Sequence, residues 1–320
     1  MTPVLHTGGG MLTPHDVELF QNLGREDIND INTINIEKLR NFVLSRRGSD
    51  GGFTFCKPLP SSLPETYYAV YVLKSIDAEI PDRGALVDFL YGSIREEVYA
   101  IFYTLSCLTL LEERLPDFSG FLLERLEEIL QRLEPPSQEP SQTMRVMDYG
   151  GTTATYSFNM PSILREVYTI TSSLRLLRKS IPDEVRDFVE RFRKGGGFGI
   201  GSPNLQETHY CLFVLNRGGE NIIAFIGQHE CPAGGFTKSP GSYPPYLEET
   251  YHALSSLKLL EFRYSGNEVQ KIHKIQKYIA SLQNPNGGFR RSIYGGISTL
   301  EDSYYAVASL RIVKEMAGDG

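Results

Sequence analysis

The sequence predicts an all-α fold, an (α/α)6 toroid of six helical hairpins, each with an outer and an inner helix. Three observations predict it. A helix start beginning with an acidic residue recurs six times along the 320 residues, a GGF turn recurs four times, and the helices alternate between highly charged and nearly uncharged. A uniform repeat of this kind marks one large domain built from stacked supersecondary units.

The nearly uncharged helices are PETYYAVYVL (64–73), EEVYAIFYTL (96–105), REVYTITSSL (165–174), QETHYCLFVL (206–215), EETYHALSSL (248–257) and EDSYYAVASL (301–310). In this register the acid falls at Glu65, Glu97, Glu166, Glu207, Glu249 and Asp302, with a leucine eight residues later in every copy. That spacing keeps acid and leucine on roughly one helical face. The helices before them, such as INIEKLRNFVLS (35–46), PDEVRDFVERF (182–192) and NEVQKIHKIQKYIASLQ (267–283), carry a fuller charged face. The polarity difference predicts an outer ring of solvated helices around an inner ring of buried ones. An open stack needs atypical polar caps, yet the last copy is among the most regular, so closure into a toroid is expected.

The turns are Gly51-Gly52-Phe53, Gly196-Gly197-Phe198, Gly234-Gly235-Phe236 and Gly287-Gly288-Phe289. Paired glycines permit a left-handed exit from the preceding helix, and the phenylalanine is a plug for the neighbouring hairpin. GFGIG (197–201) lacks the glycine spacing of a phosphate loop and reads as such a turn. Residues 1–34 are expected to form an N-terminal arm with a short helix packing on the toroid, and residues 35–320 the toroid domain. A Pro/Ser/Gln-rich insertion, 135–159, interrupts it and is expected as an irregular loop at the rim, placed to act as a lid.

Composition excludes several function classes. A net charge of −7 speaks against a nucleic-acid partner, which needs a concentrated basic face. The four cysteines form no CxxC pair and signal neither a zinc knuckle nor a disulfide framework; Cys107 and Cys211, amid apolar residues, read as buried thiols. No basic n-region with an apolar run opens the chain, and no long apolar segment occurs, so a cytoplasmic protein without an integral membrane segment is expected.

Each acid has a structural reading as a first-turn carboxylate that accepts from free backbone N–H groups. Two residues later stand Tyr67, Tyr99, Tyr168, Tyr251 and Tyr304, and His209 alone breaks the tyrosine pattern. Lining a central cavity with Tyr68, Tyr210 and Tyr305, these rings suit an isoprenoid chain or a carbocation; packed together, they are simply core. His209 with Glu207 and with Glu249 on the next inner helix forms an acceptable zinc ligand set with an open position, and His252 substitutes if Glu249 points away. The alternative is a histidine packed where tyrosine usually packs. A second register would use Glu249, Tyr251 and Asp302.

The GGF turns and the acid-Thr-Tyr-Tyr-Ala helix starts, above all GGFGIGSPNLQETHYCLF (196–213) and CPAGGFTKSPGSYPPYLEETYHALSSL (231–257), resemble the prenyltransferase/squalene-oxidase repeats. The resemblance is strongest to the β subunits of protein farnesyl- and geranylgeranyltransferases, within the wider superfamily that includes the triterpene cyclases. It implies a zinc ion at Glu207, His209 and Glu249, where the family carries aspartate, cysteine and histidine. It also implies an isoprenoid diphosphate, transfer to a thiol-type acceptor, and a helical-repeat α subunit as partner. The family's basic diphosphate clamp falls on Gly201 and Asn204, leaving Tyr210 from that cluster. Tyr210, Tyr168, Tyr251 and Tyr304 are expected to contact substrate, with Arg165 and Arg290 as the foremost replacement cations beside Arg291 and Lys238. Neither a DxDD nor a DDxxD motif is present. A metal-free terpene-cyclase-like enzyme and a non-catalytic toroid that binds an isoprenoid or peptide remain the other two readings.

Overall fold

The computed structural model describes residues 34–131, 162–264 and 269–317, with the backbone of 141–147 and 153–159. Twelve helices are described, six outer and six inner, in strict alternation. The outer helices are α1 (Ile36–Ser45), α3 (Arg83–Gly92), α5 (Ser119–Leu130), α7 (Glu184–Glu190), α9 (Glu220–Gln228) and α11 (Val269–Ser281). The inner ones are α2 (Leu63–Ser75), α4 (Val98–Leu110), α6 (Ile163–Leu176), α8 (Leu205–Leu215), α10 (Leu247–Leu259) and α12 (Leu300–Ala317). Each inner helix packs on the next, and α12 returns to pack on α2, so the ring is closed. None of the described helices is long and apolar enough to cross a membrane. The expected arm over 1–34 lies almost wholly outside the described residues.

Four of the six hairpins share one device. The backbone N–H of the turn phenylalanine donates to a hydroxyl on the following inner helix: Phe53 to Thr66, Phe198 to Thr208 and Phe236 to Thr250, each at 3.0 Å, and Phe289 to Ser303 at 3.2 Å. The phenylalanine carbonyl accepts from the residue just before that helix, Ser62, Asn204, Tyr246 or Thr299. All four rings are at most 1% exposed. The hydroxyl residue directly follows the acid in the copies that carry GGF, whereas Val98 and Val167 follow it in the two that lack the turn.

The glycines let the turn reach the next hairpin. Gly51, Gly196, Gly234 and Gly287 have φ between 90° and 101°. A Cβ on Gly287 would lie 2.1 Å from the Lys38 carbonyl oxygen of α1, and one on Gly288 would meet the Phe42 ring at 2.7 Å. Gly52, Gly197 and Gly235 abut Phe89, Phe225 and Tyr278 of the next outer helix in the same way. The last turn therefore docks on the first helix, reinforced by Asn35 N–H donating to Gln283 Oε1 at 2.8 Å.

Helix starts follow local chemistry. The side chains of Ser62, Ser162, Asn204 and Thr299 accept from backbone N–H groups in the first turns of α2, α6, α8 and α12. Of the six register acids, Glu97 is the one whose carboxylate caps its own helix among the described residues, accepting from Tyr99 and Ala100 N–H. At α2, α6, α8 and α12 the preceding Ser, Asn or Thr performs that expected task instead, and at α10 no side chain does.

The insertion departs from the expected irregular loop. Strands β1 (Ser141–Met147) and β2 (Thr153–Asn159) pair antiparallel, Ser141 opposite Asn159 and Met147 opposite Thr153. Thr143, Val146, Thr153 and Thr155 supply the β-branched content that overrides the polar composition. The rest of 135–159 lies outside the described residues. Two-residue strands β3 (Arg193–Lys194) and β4 (Gly197–Phe198) form the turn read from GFGIG.

Thr250→Val should leave the Phe236 N–H buried without an acceptor and cost about 1–3 kcal/mol. Gly287→Ala should cost at least as much, about 1–2 kcal/mol for the positive φ alone. Urea denaturation followed by far-ultraviolet circular dichroism checks both; an unchanged midpoint for Thr250→Val would remove the hydroxyl from the account.

Candidate functional site

The register acids face the hairpin turns and outer helices. Glu207, 3% exposed, accepts through Oε2 from Ile200 N–H at 3.1 Å and from Asn204 Nδ2 at 2.8 Å. Glu166 pairs with Arg125 of α5 at 2.7 Å, and Asp302 accepts from the Thr299 hydroxyl at 2.8 Å. Burial, aided by the charge of Glu301, pushes Glu65 up to about 7; burial and Glu248 do the same for Glu249. Asp302 is pushed up to about 6, chiefly by burial.

His209 stands two residues beyond Glu207, about 200° around the helix. Its ring turns to the axis, where Nδ1 lies 3.0 Å from Nδ1 of His252. The structure does not bring Glu207, His209 and Glu249 together, and His252 is the residue that meets His209. The second register is not assembled either: Tyr251 bonds to the Tyr304 hydroxyl, and Asp302 is held by Thr299. Among the described residues no group of three His, Cys, Asp or Glu side chains is placed to hold a metal ion. The residues present therefore do not fit the zinc ion that the resemblance implies.

Around the axis the aromatic rings form an unbroken chain through all six inner helices. From Tyr103 of α4 it runs to Tyr67 of α2 at 5.7 Å and on to Tyr304 of α12 at 5.5 Å. It continues to Tyr251 of α10 at 5.5 Å, to His209 at 5.8 Å and to Tyr168 of α6 at 5.6 Å. Tyr168 also stacks on Tyr210 at 4.6 Å, and Tyr251 and Tyr304 share a hydroxyl hydrogen bond of 2.9 Å. His209 is thus one link of a tyrosine ring. Burial holds it down to about 3, and burial together with His209 and Arg165 holds His252 well below its ordinary value, so both are neutral imidazoles.

The position just before each acid is Pro64, Glu96, Arg165, Gln206, Glu248 and Glu301. Of these, Arg165, Gln206, Glu248 and Glu301 meet one another or the tyrosines of the inner helix starts, and they border one mouth of the axis. Arg165 lies over the Tyr99 ring at 5.6 Å, and among the described residues its guanidinium has no carboxylate partner. Glu301 accepts from Tyr68 at 3.1 Å and Tyr305 at 3.4 Å, and Glu248 accepts from Gln206 at 3.1 Å. Of the expected cations Arg165 stands at this mouth. Arg290 does not: it is tied to the carbonyls of Ser281 and Ser292 and to Asn284 inside its own turn. Arg291, exposed, reaches Glu248 at 3.8 Å. Gln206, Glu248, Glu301 and Tyr103 were not singled out from the sequence. For Gln206, Glu248 and Glu301 the signal is variation: the acid repeats in every copy, while the residue before it changes from proline to arginine to glutamate.

The prenyltransferase alpha-alpha toroid domain matches residues 17–213 and 214–319, and the chain belongs to that family. Among solved structures it is similar to the apo type II terpene cyclase MstE from Scytonema, at TM-score 0.52 and 14% identity, covering 91% of this chain and 99% of that one. A variant of that cyclase in complex with its substrate, geranylgeranyl dihydroxybenzoate, aligns at TM-score 0.52 and 12% identity, covering 95% and 100%. Protein geranylgeranyltransferase-I of Candida albicans, complexed with GGPP, aligns at 0.35 and 13% identity, covering 88% and 92%. At these identities the likeness to the cyclase shows the fold alone. No curated protein matches the sequence.

Glu207→Ala should destabilise the fold by about 1–3 kcal/mol, since it removes the acceptor of the buried Ile200 N–H, and should leave the zinc content of the purified protein unchanged. Denaturation and elemental analysis of the same sample separate a structural carboxylate from a ligand.

Titration of the imidazoles and carboxylates opposes in sign. The folded value of His209, about 3, lies below its ordinary 6.5. Its contribution is therefore present above pH 6.5 and lost as pH falls toward 3. Glu65 is raised from 4.5 to about 7. Its contribution is present below pH 4.5 and lost as pH rises to 7. His209→Tyr should make the loss of stability on acidification shallower, and Glu65→Gln should make it steeper, in urea midpoints measured from pH 4 to 8.

Proposed function

We propose that this protein binds an isoprenoid chain between its six inner helices. The observation that carries the reading is the unbroken chain of aromatic rings. Ring faces and edges from every inner helix converge on one axis, and each face offers an apolar surface that also attracts positive charge, about 0.5–2 kcal/mol per contact. The family resemblance and the substrate of the similar cyclase, a geranylgeranyl compound, support the same ligand class.

A second reading, that the bound chain reacts here through a carbocation, is favoured by the hydroxyl pair of Tyr251 and Tyr304 and the neutral imidazoles beside it. Fixed dipoles in a water-poor site stabilise developing charge more than water does. Zinc-assisted transfer to a thiol has no assembled ligand set among the described residues, and no step is assigned to it.

Geranylgeraniol, a neutral 20-carbon isoprenoid, should bind with one-to-one stoichiometry in a calorimetric titration. Tyr304→Leu should weaken it about tenfold, and Tyr294→Leu, at a side chain 74% exposed, should not change it. Absence of binding to the folded wild-type chain sinks the reading. Chromatography of the same mixture after prolonged incubation tests the second: recovery of unchanged isoprenoid alone leaves a binding protein.

A further inference from the structure

The axial mouth carries charge of both signs, and that mixture bears on what the ligand's polar end is. Arg165 of α6 and Glu248 of α10 flank α8 in the ring, and the Tyr210 hydroxyl of α8 feels both charges. Glu301 of α12 stands beside Glu248, near enough for burial and that neighbour to hold Glu248 above the usual carboxylate range. Arg291 and Lys238 act on Glu248 from the turns outside the ring. Among the described residues at this mouth, the Arg165 guanidinium, resting on Tyr99, stands with the carboxylates of Glu248 and Glu301.

A second observation points to a missing ligand. One turn below Glu248, His252 is 3% exposed; its Nδ1 meets His209, and its Nε2 has no hydrogen-bond partner. The ring lies between Tyr210 and Tyr305, at 5.5 and 6.1 Å, the two tyrosines that border the mouth. The Tyr99 hydroxyl beneath Arg165 is likewise without a partner. Buried polar atoms are almost always satisfied in a folded protein, and these two orphans lie beside the charged groups of the mouth.

We infer that this mouth holds the polar end of the isoprenoid, and that the end it takes is zwitterionic, with a carboxylate on Arg165 and an ammonium on Glu248 and Glu301. The inference rests on the isoprenoid-binding reading and names its substrate class. A diphosphate brings several negative charges to a place where one interior cation would receive them and two carboxylates would repel them. An amino-acid-type end places one charge of each sign opposite its complement. Such an end also supplies donors and acceptors for His252 Nε2 and the Tyr99 hydroxyl.

Calorimetric titration of the full chain with S-geranylgeranyl-cysteine, geranylgeraniol and geranylgeranyl diphosphate, each below its micelle concentration, tests this. The cysteine thioether should bind about tenfold tighter than the alcohol, and the diphosphate weaker than the alcohol. Arg165→Gln and Glu248→Gln should each collapse the thioether-to-alcohol ratio toward one, measured for both ligands on the same folded variant. A diphosphate that binds tighter than the thioether, a ratio near one for the wild type, or a preference that survives both substitutions overturns the inference. In each of those cases the alcohol still binds and the isoprenoid reading stands; if no compound binds, both fall together.

Discussion

The hydrogen bond from a buried phenylalanine N–H to a hydroxyl on the following helix is the constraint on which the toroid depends. It ties each GGF turn to its own inner helix at a fixed depth, because the donor is backbone and the hydroxyl residue directly follows the repeated acid, Glu65, Glu207, Glu249 or Asp302. Gly51, Gly196, Gly234 and Gly287 then let the same turn touch the next outer helix, where any side chain would collide. Each of the four repeats that carry GGF is held by its turn on one side and touches its neighbour on the other. At these turns neighbouring hairpins approach until glycine backbone meets helix carbonyls and the rings of Phe42, Phe89, Phe225 and Tyr278.

That constraint also decides which residues look inward. Once the hydroxyl residue is pinned to the turn, the residue two positions before it and the residue one position after it fall on the axial side. Those are Gln206 and His209 around Thr208, and Glu248 and Tyr251 around Thr250. The acid in between, Glu207 or Glu249, is carried to the hairpin side. A zinc ion needs ligands that converge, and residues on opposite sides of one helix do not.

The ring of six hairpins was legible because its signals are local and repeated: the leucine eight residues after each acid, the paired glycines, the contrast between INIEKLRNFVLS and PETYYAVYVL. So was the anomaly at His209, visible by comparison with five tyrosines. The site was less legible because repetition draws attention to Glu207, which is held by Ile200 and Asn204 of its own turn, and away from Gln206, Glu248 and Glu301. Which of two adjacent residues faces the axis depends on the helix's rotation about its own axis. That rotation comes from the bonds of Thr208 and Thr250, which no periodicity in apolar residues reveals. Arg165 and Arg290 illustrate the difference: both are arginines near inner helix starts, yet one faces the axis and the other is spent on carbonyls within its turn.

Five of the six junctions between neighbouring hairpins are crossed by the polypeptide. The sixth, where α12 and the Gly287 turn meet α1 and α2, is held by contacts alone, between residues such as Asn35 and Gln283 that lie 248 positions apart in the chain. Closing it carries the largest loop entropy in the fold, and it brings together the rings of Tyr67, Tyr71 and Tyr304 at the axis. It is the one junction in the ring that the chain itself does not cross, and the aromatic axis lies along its edge.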